Sequence, residues 1–297
     1  DAEYPVLVAD RLARTPRGMT LLVELAETLQ AAVIDRGSRL NFPTRHPLNQ
    51  THLYSNGPPP MNRVVIPQAD VILGLEVMDF WSTVNVPRDQ VHRSISRIAK
   101  SDAKLISITT GDLYIRSNYQ DFRRMQEVDL AIAADGEATL PSLIEAVNRL
   151  TTRARRRAFE ERGERLAAAS RVADEESRKA ASYGWDASPV STARLCAELW
   201  AQIKDEDWVL SAGPLHDAAR RLWDFDRSWC HAGCELGTGT QAKGPCPGQL
   251  GGAQEKGGTL AAVGEGEGQP RLETADAEEG GRIPLVAVED VEEEAAL

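Results

Sequence analysis

Aromatic side chains make up only 5% of the 297 residues, so aliphatic residues must fill whatever core the chain builds. No apolar run approaches the roughly 18 residues that cross a bilayer, which excludes a helical membrane span. Asp1-Ala2-Glu3-Tyr4 does not read as the opening of a signal peptide, and a soluble, cytoplasmic protein is the expectation. Positive charge is also short: 34 Lys+Arg against 45 Asp+Glu leave a net charge of −11, which argues against a nucleic-acid surface. Cysteine is rare, with only Cys196, Cys230, Cys234 and Cys246. The spacing of the last three lacks the paired C-x-x-C knuckles of a zinc site and the C-x-x-C-H of haem attachment. Ordinary thiols are the expected use.

What is present is unevenly distributed. Residues 251–297 hold 12 acidic and 3 basic side chains, so residues 1–250 are nearly neutral. Of the 23 glycines, 14 fall within 231–297, a stretch without Phe, Tyr or Trp. The character of the chain therefore changes near His231. The length itself suggests two domains, at roughly 100 to 200 residues each.

Over residues 1–150 short apolar runs alternate with amphipathic stretches, the α/β pattern. Strands are expected at 5–9, 32–35, 70–75, 103–108 and 129–133, with helices over 18–30 and 137–150. Continuous apolar strands separated by helices predict a doubly wound, mostly parallel sheet covered on both faces. A long loop rich in Pro and Asn spans 36–60. The first strand-to-helix turn, Asp10-Arg11-Leu12-Ala13-Arg14-Thr15-Pro16-Arg17-Gly18, lacks the closely spaced glycines of a dinucleotide fingerprint.

Residues 151–187 read as a charged linker helix. Its Arg153, Arg155, Arg156 and Arg157 could form a phosphate patch, but Glu160, Glu161 and Glu164 favour a solvated face with pairs at i,i+4. Residues 188–297 read as a second, incomplete α/β domain. Ser191 caps a helix bearing Leu195, Leu199 and Ile203; a strand runs over 208–213, a short helix over 218–225, and strands over 259–263 and 283–288.

Several phrases resemble the thiamine-diphosphate-dependent enzymes of the acetolactate-synthase-like group. They are Pro5-Val6-Leu7-Val8-Ala9-Asp10, Asn41-Phe42-Pro43-Thr44-Arg45-His46-Pro47-Leu48-Asn49, Ala69-Asp70-Val71-Ile72-Leu73-Gly74 and Ala133-Ala134-Asp135-Gly136-Glu137-Ala138. They look like that family's central domain, and residues 208–223 look like the opening of its diphosphate-binding domain. The likeness covers most of residues 1–230, by pattern and phrase rather than by one diagnostic signature.

The resemblance implies thiamine diphosphate and Mg²⁺ as cofactors and a 2-oxo acid as substrate, with a C–C bond cleaved or formed. It also implies a homo-oligomer, or a separate chain that supplies the family's pyrimidine-binding domain, whose glutamate has no counterpart here. The implied cofactor-binding positions are Gly213, His216, Gly264, Glu265 and Gly266, with Glu265 as metal ligand. Here the sequence departs from the family. Val263-Gly264-Glu265-Gly266 stands where Gly-Asp-Gly is usual, and residues 269–297 contain no Asn to complete the metal shell; Glu289 to Glu294 stand in its place. The phrase that accompanies FAD in acetolactate synthases is replaced by Glu76-Val77-Met78-Asp79-Phe80-Trp81, so FAD is not implied. Asn41, Arg45 and His46 are further candidates for contacts near an interface or active site.

The expectation is thus part of such an enzyme, not catalytic as this chain alone. The alternatives are a non-catalytic α/β oligomerisation module and a nucleotide-binding domain.

Overall fold

A computed structural model describes residues 2–37, 39–51, 64–89, 94–111, 125–211, 215–231, 259–264 and 286–289. The chain divides into two compact units. One comprises 1–36 and 41–174, the other 37–40 and 175–297.

The first unit is built on five parallel strands: β1 (Pro5–Ala9), β2 (Ala32–Asp35), β3 (Val71–Leu75), β6 (Lys104–Ile108) and β7 (Leu130–Ile132). Their order is β2-β1-β3-β6-β7. Every residue of β1 and β2 is buried, which is why these strands read as unbroken apolar runs rather than alternating ones. The order reverses between β1 and β3, so the switch point of the doubly wound sheet lies between their carboxyl ends.

Helix α1 (Pro16–Leu29) starts two residues earlier than expected. Thr15 accepts a hydrogen bond from Gly18 N as its N-cap, and Pro16 takes the first helical position, where no N–H is needed. It packs against α3 (Gly136–Leu150). Between β3 and β6 lie α2 (Phe80–Val84) and an antiparallel hairpin, β4 (Asn85–Asp89) with β5 (Ser94–Arg97), none of which the sequence reading anticipated.

The charged helix α4 (Arg153–Ala181) differs from the solvated connector expected. Arg162, Gly163, Leu166, Ser170 and Ala173 form a buried face. The Arg162 guanidinium donates to the carbonyls of Leu29 and Gln30 at the carboxyl end of α1, and to Glu3 O at 3.1 Å. A cation on the negative end of a helix dipole explains why one arginine of this helix is buried while its neighbours are not. Gly163 leaves room for Gln30, whose amide oxygen would lie 1.8 Å from a Cβ there.

The second unit contains α5 (Thr192–Ile203), capped by Ser191, and α6 (His216–Leu222). Its parallel sheet has the order β10-β9-β8, from β8 (Trp208–Ser211), β9 (Thr259–Gly264) and β10 (Val286–Glu289). A cluster of Trp200, Trp208, Trp223 and Phe225, with ring centroids 5.0 to 6.0 Å apart, forms its core. Few as they are, the aromatics are concentrated here. Trp223 donates its indole N–H to Cys196 O at 2.8 Å. Cys196 and Cys230 are buried free thiols, and burial pushes them up to about 12 and about 11, so both stay protonated and inert at neutral pH. Cys234 and Cys246 lie outside the described residues.

Candidate functional site

Parallel α/β sheets bind ligands beyond the carboxyl ends of their strands. In the second unit Ser211 of β8 pairs with Ala262 of β9, and Gly264 of β9 with Glu289 of β10. The three strands therefore end along one edge. Gly264 closes β9 on that edge, and His216 opens α6, five residues after β8 ends. Gly213, Glu265 and Gly266 lie outside the described residues.

The chemistry of this donor set does not suit Mg²⁺ and a diphosphate. Mg²⁺ asks for near-ideal octahedral oxygen ligands and shares its shell with phosphate oxygens. After β9 the chain offers Glu265, one methylene longer than aspartate, and after β10 it offers Asp290 and further acids instead of a neutral amide. Extra carboxylates raise the negative charge that a diphosphate must approach. Among the described residues, no group of three or more His, Cys, Asp or Glu side chains could hold a metal ion.

The corresponding edge of the first unit is tied together by its own side chains. Past the ends of β1 and β3, Asp10 N and Arg11 N still donate to Leu75 O and Glu76 O, each at 3.3 Å. Asn41 is fully buried and serves as a joint. Its amide oxygen accepts from Leu12 N and Ala13 N at 3.0 and 2.9 Å, and its Nδ2 donates to Asp10 O and Asp35 Oδ1. Glu76 sits at φ 51°, a left-handed conformation that a non-glycine residue adopts only when its surroundings demand it. The demand is visible: its carboxylate accepts from Gly136 N at 2.7 Å, Thr109 Oγ1 at 3.0 Å and Thr110 N at 3.3 Å. Glu137 reaches back to accept from Arg14 N at 2.7 Å, Thr15 N at 3.2 Å and Thr15 Oγ1 at 2.6 Å. Asp135 caps α3 and pairs with the Arg14 guanidinium, which holds its carboxyl below the usual carboxylate range.

The remaining candidates of the Asn-rich loop contact other residues of the first unit. Arg45 pairs with Asp174 of α4 at 2.8 Å. His46 packs edge-to-face with Phe42, their ring centroids 4.7 Å apart, accepts from Leu48 N through Nδ1, and faces Glu27 Oε1 with Nε2 at 3.3 Å. Burial lowers its pKa, against the opposing pull of Glu27. Asp79 caps α2, and Phe80 and Trp81 are buried. A cavity of about 170 Å³ near the ends of β3, β6 and β7, lined by Met78, Phe80, Thr109, Met125 and Gln126 among others, is smaller than the roughly 300 Å³ at which small-molecule pockets begin.

Sequence reasoning missed Glu76 and Glu137. The usable signal was a pair of glycines at helix starts with no conformational need for glycine, Gly18 and Gly136. A Cβ at the first would lie 2.4 Å from Glu137 Oε2, and one at the second 2.9 Å from Glu76 Cγ.

No protein-family model matches this chain, and no curated protein sequence matches it. Solved structures do. Benzoylformate decarboxylase from Polynucleobacter necessarius matches with a TM-score of 0.55 and 12% identity, over 89% of this chain and 44% of that one. A thiamine diphosphate-dependent 4-hydroxybenzoylformate decarboxylase from Rhodococcus jostii RHA1 matches with a TM-score of 0.44 and 20% identity, over 77% of this chain and 37% of that one. The first likeness shows a shared α/β fold. The chain spans less than half the length of either structure.

Proposed function

We propose that this chain carries the central and diphosphate-binding parts of a thiamine diphosphate-dependent enzyme of 2-oxo acids, and that it does not turn over substrate on its own. The supporting observation is the succession of two all-parallel sheets in the order the family phrases require. The switch-point sheet carries the central-domain phrases, and β8 and β9 pair in parallel up to Ser211 and Ala262, just ahead in sequence of the positions that the resemblance assigns to the cofactor. The shared fold with a benzoylformate decarboxylase supports the same reading. Its reaction class is cleavage or formation of the bond beside a 2-oxo carbonyl, as in acetolactate synthases. A pyrimidine-binding domain, from a further segment or a partner chain, completes the active site. The substitution of Glu265 and the missing Asn make this chain's own hold on thiamine diphosphate and Mg²⁺ weak.

Isothermal titration of the chain with thiamine diphosphate and MgCl₂ tests this. The expected result is no saturable heat for the wild type, and saturable, Mg²⁺-dependent binding at least tenfold tighter, about 1.4 kcal/mol, for the double variant Glu265→Asp, Asp290→Asn. Tight binding by the wild type overturns the weak-site reading. A double variant indistinguishable from wild type overturns the assignment of this edge to a diphosphate.

A second reading, a non-catalytic module that pairs with another chain, is favoured by Leu130, which is 50% exposed on edge strand β7. A clean monomer in sedimentation analysis would count against it.

A further inference from the structure

We draw no further inference here: the strongest candidate, the groove of about 380 Å³ between α1, the loop at His46 and the first half of α4, is a cluster of the carboxylates Glu27, Glu160 and Glu164 beside a histidine that already faces Glu27, and nothing in the structure shows what would occupy it.

Discussion

The two units present the same structural opportunity and treat it in opposite ways. Each has parallel strands whose carboxyl ends align along one edge. In the first unit that edge is filled by the chain's own acceptors, so Asn41, Glu76, Asp135 and Glu137 satisfy the loop and helix N–H groups around it. In the second unit the strand ends run into glycines and acids, Gly264-Glu265-Gly266 after β9 and Glu289-Asp290 after β10. An edge that satisfies its own donors leaves few of them for a ligand, whereas glycine past a strand end carries no side chain to hinder close approach. The fold alone does not separate the two; the identity of the residues just past each strand does.

Loss of core packing should give the largest effects and show whether the units respond separately. Trp208 is 1% exposed at the centre of the aromatic cluster, so Trp208→Ala should cost the second unit about 3–5 kcal/mol. Tryptophan fluorescence should follow that loss. Far-UV circular dichroism should retain a transition from the first unit, whose sheet does not include Trp208. A single coincident transition lowered as a whole would show that the two edges belong to one cooperative body.

Next comes Glu76→Ala, which strikes the self-satisfied edge. It removes the acceptor for Gly136 N, Thr109 Oγ1 and Thr110 N in a 9% exposed position, and a cost of about 3 kcal/mol is expected. Because Glu76 also occupies a left-handed conformation, Glu76→Gly should recover part of that loss by relieving the backbone alone. If glycine is no better than alanine in urea denaturation, the strain at this residue is not felt. Arg162→Met should follow, at about 2 kcal/mol. It keeps the apolar stem but leaves the carbonyls of Leu29, Gln30 and Glu3 without the guanidinium, and amide exchange should accelerate in α4 before it does in the sheet.

These residues also mark how far the sequence could be read. Pro5–Ala9 and Ala32–Asp35 were legible to the residue, because strands buried on both faces leave continuous apolar runs. The start of α1 was legible in principle, since Thr15-Pro16 is a cap followed by a first-turn proline. The β4–β5 hairpin was not, as Asn85 to Asp89 carries a proline and two charges and has no alternation to find. The edge contacts were hidden for a different reason. Glu76 meets Gly136 from 60 residues away and Glu137 meets Arg14 from 123, and nothing local distinguishes such a carboxylate from a solvated one. In the second unit the strands expected over 208–213 and 259–263 are found at Trp208–Ser211 and Thr259–Gly264, so their existence was legible and the end of the first was not.

The smallest effect concerns His46, at the rim of the first unit rather than at its edge. Its ring is mostly buried, faces Glu27, and lines a groove that Glu160 and Glu164 also line. Desolvation lowers its folded pKa below the ordinary 6.5, and the Glu27 hydrogen bond only partly opposes this. Between the folded and unfolded values the unfolded chain therefore binds more protons, so stability rises with pH through that window and falls as pH drops below about 6.5. His46→Gln keeps a polar side chain but has no proton to take up, and its thermal midpoint should vary less than that of wild type between pH 5 and 7. If the two profiles run parallel, the histidine does not titrate differently in the folded chain, and Glu27 offsets burial completely. A steeper profile for the variant would reverse the sign and make Glu27 the stronger influence on a ring that the fold has otherwise taken out of water.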